Sequence, residues 1–457
     1  MKSLKLITGA IVLAAATLAT VAAAGAATTH YTGTLPDGAT WVADLPAQWN
    51  GTLLLYSHGF GPLTAADAPD PTTQAALLAR GYALAGSSYD PSGPEWALDS
   101  AVRDQFQTLR AVEGTVLPAT PRYVIAVGTS MGGLVSALEA QDGAREVGRG
   151  RLAGETLRID GALTTCGIVA GAVNLNNYQL DGEYALAQLL LPGQNVQLVR
   201  FANADDALAT ATTLGNAAAQ AQQTPAGRAR LSLALAFLNA EDGLTTPAAP
   251  DPATLEADQY QAEFTGSFST LDFIEEGRPS IDQAAGGSAT WTAGVNFAAV
   301  LARSPYRHEV TTLYKTAGLS LGADLGTLTR DTDITADPGA VRSLSRTSVP
   351  TGRLAVPELD LHTISDQLVP VQQENYYART VQAAGSANLL RQAFVASVGH
   401  CNFSPAEIVA GVLAIGQRVA TGRWRTVADT ASLERVATSL NLGAAQFIRY
   451  YPGPLTR

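Results

Sequence analysis

Tyr123-Val124-Ile125-Ala126-Val127-Gly128-Thr129-Ser130-Met131-Gly132 is the segment from which the architecture of this chain can be inferred most directly. The apolar run fits a strand buried on both faces. A Gly-x-Ser-x-Gly corner follows at once, and Gly133-Leu134-Val135-Ser136-Ala137-Leu138-Glu139-Ala140 behind it suits a helix. So tight a strand-to-helix corner needs small residues around its serine. It lifts the hydroxyl above the sheet edge and aims the next backbone N–H beside it. Glycine and serine are common, so the weight comes from the strand before and the helix after.

The flanking sequence supplies the rest of a β/α alternation. Upstream, Thr28–Thr34 and 40–45 read as short strands around the Pro36-Asp37-Gly38 turn, and 53–57 as a buried strand. A helix over 72–80, ended by Gly81, precedes a strand over 82–86 and an amphipathic helix over 96–112. Downstream, 157–163 reads as the next strand. Repeated β-α-β units predict a mostly parallel sheet with helices on both faces. After Cys166 the pattern turns helical, most clearly over 184–191 and 228–238, with 245–252 as a proline-rich loop. Strand and helix signals resume at 354–362, 372–384 and 389–397, with a last helix near 405–422. The expected organisation is a leader over 1–26, an α/β core over 27–166 and 347–457, and a helical insertion over 167–346. A separate helical domain with its own role is the other reading.

Composition narrows the class. The chain has 457 residues, 46% hydrophobic and 15% charged, so a sizeable core is expected and wholesale disorder is not. Its formal net charge of −11 argues against nucleic acid or an anionic membrane as main partner. Lys2 and Lys5 precede an apolar, alanine-rich stretch over 6–23, and Ala24-Gly25-Ala26 fits a leader cleavage site. A retained anchor is the alternative. Cleavage would leave a net charge of −13. No later stretch is long and apolar enough to span a bilayer. An exported, soluble protein is expected, secreted to the periplasm or the medium, its oligomeric state open.

A serine hydroxyl is a poor nucleophile at neutral pH. It needs a base, and the base needs an orienting carboxylate. Of the five histidines, only His400 lies in the loop after the last strand, where Gly399 lets the backbone turn. His362 falls inside a strand pattern and reads as a core or pocket-wall residue. His308 has no evident partner. The acid is expected at Asp366, after the preceding strand; Glu358 and Asp360 compete but fall within the strand. Two aimed N–H donors are expected from Met131 and from Phe60 in Ser57-His58-Gly59-Phe60-Gly61, with His58 bracing that loop. The bland alternatives are a turn or capping role for Asp366 and an ordinary glycine turn at Gly59.

These segments together resemble the α/β-hydrolase superfamily. The His58-Gly59 loop, the Ser130 corner, Asp366 followed by Val369-Pro370, and Gly399-His400 stand in the superfamily order. The resemblance covers about 50–165 and 350–422. It implies an α/β-hydrolase fold, a mostly parallel doubly wound sheet whose insertion after the sixth strand is similar to the lid of lipases and esterases. The secreted tannase and feruloyl esterase group pairs a cysteine before its serine with one after its histidine. Here Cys401 follows His400, but Thr129 precedes Ser130. Cys166 and Cys401 should both reach the carboxyl edge of the sheet, either as a disulfide pinning the histidine loop or as two buried thiols.

The insertion offers Tyr178, Tyr184, Tyr260, Phe264, Phe268, Phe273, Trp291 and Phe297, either as walls of a substrate pocket or as the insertion's own core. No metal-ligand spacing, P-loop or dinucleotide fingerprint occurs, so no cofactor or metal is implied. The expectation is a secreted serine hydrolase that cleaves small-molecule or oligomeric carboxylic esters through an acyl-enzyme. The alternatives are an amidase or peptidase on the same triad, and a non-catalytic binding protein on the hydrolase fold.

Overall fold

The computed structural model describes residues 27–141, 157–241, 251–265 and 270–457. The leader over 1–26, most of the 245–252 loop, Phe268 and the side chain of Phe273 lie outside the described residues.

The strands are β1 (Thr28–Thr34), β2 (Thr40–Pro46), β3 (Thr52–Ser57), β4 (Ala83–Ser87), β5 (Tyr123–Thr129), β6 (Gly161–Thr165), β7 (Glu358–Ser365), β8 (Leu390–Val398) and β9 (Phe447–Ile448). They form one sheet in the order β1-β2-β4-β3-β5-β6-β7-β8-β9. Pairing is parallel from β4 through β8 and antiparallel at the β1-β2, β2-β4 and β8-β9 edges. The inner strands are buried on both faces, as their unbroken apolar runs require.

Helices α1 (Pro71–Leu78), α2 (Ala101–Thr115) and α3 (Met131–Glu139) belong to the first half of the chain. Between β6 and β7 lie α4 (Ala172–Leu190), α5 (Ala204–Ala221), α6 (Pro225–Leu238), α7 (Pro252–Tyr260), α8 (Thr270–Ala285), α9 (Phe297–Arg303), α10 (Arg307–Thr316), α11 (Leu321–Arg330) and α12 (Pro338–Thr347). The second half adds α13 (Gln372–Ala383), α14 (Pro405–Thr421) and α15 (Thr430–Leu440). One apolar core packs α2, α3 and α13 on one sheet face, and another packs α1, α14 and α15 on the other. A third lies within the helical layer. Helix α4 joins two of them: Leu175 and Tyr178 pack in the sheet core, Leu180 and Tyr184 in the helical one. None of the helices among the described residues is long and apolar enough to cross a membrane.

Four expectations need correction. The helix expected from 96 begins at Ala101, because Trp96 is held outside it by Ser280 Oγ on its N–H (2.9 Å) and Ser348 Oγ on its indole (3.2 Å). The strand expected over 157–163 is Gly161–Thr165, and the Asp160 carboxylate just before it accepts from Val124 N–H at 2.9 Å. The strand expected from 354 begins at Glu358, directly after Pro357, which has no N–H to give a ladder. The helix near 405–422 is not the last element: α15 follows, and β9 closes the sheet edge against β8.

Candidate active site

Ser130 sits between β5 and α3 with φ 59° and ψ −122°, a strained conformation for a residue with a side chain. Its neighbours show why they are glycines. A Cβ at Gly128 would stand 1.8 Å from the Gly132 carbonyl oxygen, and one at Gly132 would stand 1.9 Å from that of Ser57. The Ser130 N–H donates to Thr165 O at 2.9 Å, which ties the corner to β6.

The three side chains singled out from the sequence meet here. The Ser130 hydroxyl lies 2.8 Å from His400 Nε2, and His400 Nδ1 lies 2.8 and 3.0 Å from the two Asp366 carboxylate oxygens. With Nδ1 donating to Asp366, Nε2 is left to accept from the serine. Asp366 is fully buried in the turn after β7, and its Oδ1 also accepts from Leu368 N–H (3.0 Å) and Val369 N–H (2.8 Å). Burial pushes this carboxyl up, but the charge and hydrogen bond of His400, the charge of His362 and the Val369 N–H outweigh it. They hold the group below its ordinary 3.8. Such a carboxylate stays ionised at neutral pH.

The β3 loop closes on the serine from the other side. A Cβ at Gly59 would lie 3.3 Å from Ser130 Cβ, so the chain entering Phe60 runs against the nucleophile position. His58 Nδ1–H donates to Gly59 O at 2.8 Å, its ring stacks on Tyr89 at 4.3 Å, and the Tyr89 hydroxyl donates to His58 O at 3.0 Å. His58 therefore braces the loop. Met131 opens α3, so its N–H has no intrahelical partner.

Cys166 and Cys401 form a disulfide with Cα atoms 5.3 Å apart. Both residues have positive φ, 47° and 55°. The bond joins the end of β6 to the residue after His400, whose loop is also held by Gly399 N–H on Ser365 O at 2.8 Å.

His362 forms a second histidine–carboxylate pair beneath the first. It is fully buried, with Nδ1 2.9 Å from Glu374 Oε1, Nε2 2.7 Å from the Val369 carbonyl and 3.8 Å from Asp366 Oδ2. Burial alone would lower its pKa, but the Glu374 hydrogen bond and charge, the charge of Asp366 and the Val369 carbonyl raise it above 6.5. Acceptors at both nitrogens favour the doubly protonated ring. The sequence pattern put His362 in the core; its grip on the Asp366–Val369 turn had no signal there.

A small pocket opens above Ser130. It is lined by Phe60, Trp96, Ile168, Leu368 and Val369 together with Leu175 and Gln179 of α4 and Ile274, Gly277 and Ile281 of α8. Among the described residues, Tyr178, Tyr184, Tyr260, Phe264, Trp291 and Phe297 are not among its walls. Tyr184 stacks on Phe297 at 5.5 Å and Tyr260 on Phe264 at 5.6 Å within the helical layer, and Arg457 lies over Trp291. Tyr178 is buried, with its hydroxyl accepting from Gln373 at 3.2 Å. The walls without a signal in the sequence are the aliphatic stripe of α8 and Trp96, which the amphipathic pattern assigns to the start of a helix.

The strand order and the Ser130 corner define an α/β-hydrolase fold. No protein-family model matches the chain. An o-phthalyl amidase of Xanthobacter agilis is 27% identical over 446 residues, spanning 91% of this chain and 92% of that protein. Among solved structures, brefeldin A esterase, a bacterial homologue of human hormone sensitive lipase, aligns over 91% of this chain and 76% of its own at 15% identity and TM-score 0.38. The rice cell wall degrading esterase LipA of Xanthomonas oryzae aligns over 86% and 87% at 15% identity and TM-score 0.36. At such scores these two likenesses bear no weight on what this chain does.

Proposed function

We propose that this protein is a serine hydrolase of carboxylic-acid derivatives, with esters as the first substrate class. The observation that carries the reading is the continuous contact from the strained Ser130 hydroxyl through His400 to a buried, ionised Asp366. Ser130 Oγ attacks the substrate carbonyl as its proton passes to His400 Nε2. Asp366 fixes the ring and stabilises the imidazolium that forms. The Met131 and Phe60 N–H groups hold the oxyanion. The tetrahedral adduct collapses, His400 returns the proton to the departing alcohol, and the acyl group remains on Ser130. Water, deprotonated by His400, then releases the acid and restores the serine.

An amide is the second reading, favoured by the o-phthalyl amidase that matches nearly the whole chain. It uses the same residues and asks more of the imidazolium, which must protonate a poorer leaving group. The helical layer acts as a lid that dries the acyl pocket. The 1–26 leader exports the protein, in keeping with a disulfide beside the site.

Turnover of matched aryl esters and anilides, with Ser130→Ala as control, tests these readings. Ester hydrolysis that vanishes in Ser130→Ala supports the assignment, and added anilide turnover selects the amide reading. Hydrolysis that persists in Ser130→Ala contradicts it.

A further inference from the structure

Among the described residues, one cluster of metal-ligand atoms lies on the catalytic rim. Cys166, His400 and Cys401 each offer a ligand atom, and the three atoms lie within 4.8 Å of one another. Cys401 Sγ stands 3.3 Å from His400 Nε2, the ring nitrogen that faces Ser130. Bonded to each other, the two sulfurs are not metal ligands, because the ligand is the thiolate. With that bond open, the same atoms become two thiolates and an imidazole, a donor set that suits zinc.

The surroundings are already arranged for an ion. Zinc ligands held at about 2.0–2.3 Å in a tetrahedron stand about 3.4–3.8 Å apart. With Cα atoms 5.3 Å apart, the freed sulfurs can reach that spacing by side-chain rotation. Backbone contacts hold both ends as well as the bond does. Cys166 N–H donates to Leu361 O at 2.8 Å, and Gly399 N–H donates to Ser365 O at 2.8 Å. His400 is oriented as a metal-binding ring is, with Nδ1–H on the buried Asp366 carboxylate and Nε2 turned away from it. Cys166 is buried, but His400 and Cys401 are partly exposed, so an ion can enter from the rim.

We propose that, with the Cys166–Cys401 bond reduced, the two thiolates and His400 Nε2 take a zinc ion, and that this state is catalytically silent. The silencing rests on His400 as the base: a lone pair given to the metal cannot accept the Ser130 proton. The opening step needs a reductant, such as a phosphine. The phosphine attacks one sulfur and the S–S bond breaks. Water supplies the oxygen of the phosphine oxide and the protons of both thiols. Zinc then displaces those protons, and water fills the fourth position.

The test reduces the wild-type protein with a phosphine, confirms two free thiols by titration, removes the reductant under argon and adds Co²⁺ as a coloured stand-in for Zn²⁺. The expected result is a thiolate-to-cobalt charge-transfer band that saturates at one equivalent and is displaced by Zn²⁺. Zn²⁺ should then lower ester turnover by the reduced protein at least about tenfold, and a chelator should restore it. The oxidised protein should show neither effect. Reduced His400→Ala should bind Co²⁺ at least about tenfold more weakly than reduced wild type. No band in reduced wild type, or a bond that opens only as the protein unfolds, overturns the zinc site, while Ser130-dependent turnover by the oxidised protein leaves the base standing. Equal affinity in wild type and His400→Ala overturns His400 as a ligand. A band that depends on His400, with turnover undiminished by Zn²⁺, overturns His400 as the base and leaves the site standing.

Discussion

His400–Asp366 at the sheet rim and His362–Glu374 beneath it pair the same side-chain types at nearly equal distances, 2.8 and 2.9 Å. The second ring nitrogen separates them. His362 donates its Nε2–H to a backbone carbonyl and is fully buried. His400 turns its second nitrogen to a serine hydroxyl, and its side chain is 17% exposed. A ring flanked by two acceptors is favoured with both protons in place. A ring that meets a hydroxyl can gain and lose one. Position relative to the sheet edge, more than residue type, divides the two roles.

The largest effect that could break this comparison lies at the rim. Ser130→Ala and His400→Ala should each lower kcat by about 10⁴-fold or more, and the double variant should be little worse than either. A Glu374→Gln variant should lose far less in the same assay. Comparable losses at both pairs would erase the distinction.

Next in size is stability at the buried pair. His362→Gln leaves Glu374 without its cation and should cost about 3–5 kcal/mol in urea unfolding near pH 6. The sign with pH follows from the raised value. The contribution of His362 is complete below 6.5 and is lost as pH rises through the higher folded-state value. The gap between wild type and His362→Gln should therefore narrow in alkali. A gap that widens would mean a neutral ring.

The disulfide sharpens the contrast, since it tethers the rim histidine alone. Cys166→Ser with Cys401→Ser opens a loop spanning 235 residues and should cost about 2–5 kcal/mol, read as a lower unfolding temperature. It should also lower kcat as His400 loses its anchor. A variant with unchanged kcat would show that the Gly399 and Asp366 contacts suffice.

The smallest effect is on acid stability. Asp366, held below 3.8, contributes stability above its unfolded value that is lost as pH falls through the folded one. Asp366→Asn should flatten the loss of unfolding free energy below about pH 4 relative to wild type. An unchanged acid limb would assign that loss to other carboxylates.

Local patterning made the sheet legible. Unbroken apolar runs marked the inner strands, and Gly128 and Gly132 marked a corner where a Cβ cannot fit. Ser130, Asp366, His400 and the cysteine pair were legible because each falls just past a strand end. The helical layer was much less so. Its pocket walls, Ile274, Gly277 and Ile281, are set by how α8 packs on its neighbours, chiefly α5, which no periodicity within a helix encodes. Trp96 is fixed by contacts distant in sequence, such as those with Ser280 and Ser348. Pairing at that range leaves no local trace.

The relay itself is tested most directly with a fluorophosphonate probe and mass spectrometry of the intact and digested protein. The expected result is one adduct, on Ser130, absent in Ser130→Ala and formed far more slowly in His400→Ala. A folded wild type that takes up no probe, or takes it up at another residue, would contradict the relay.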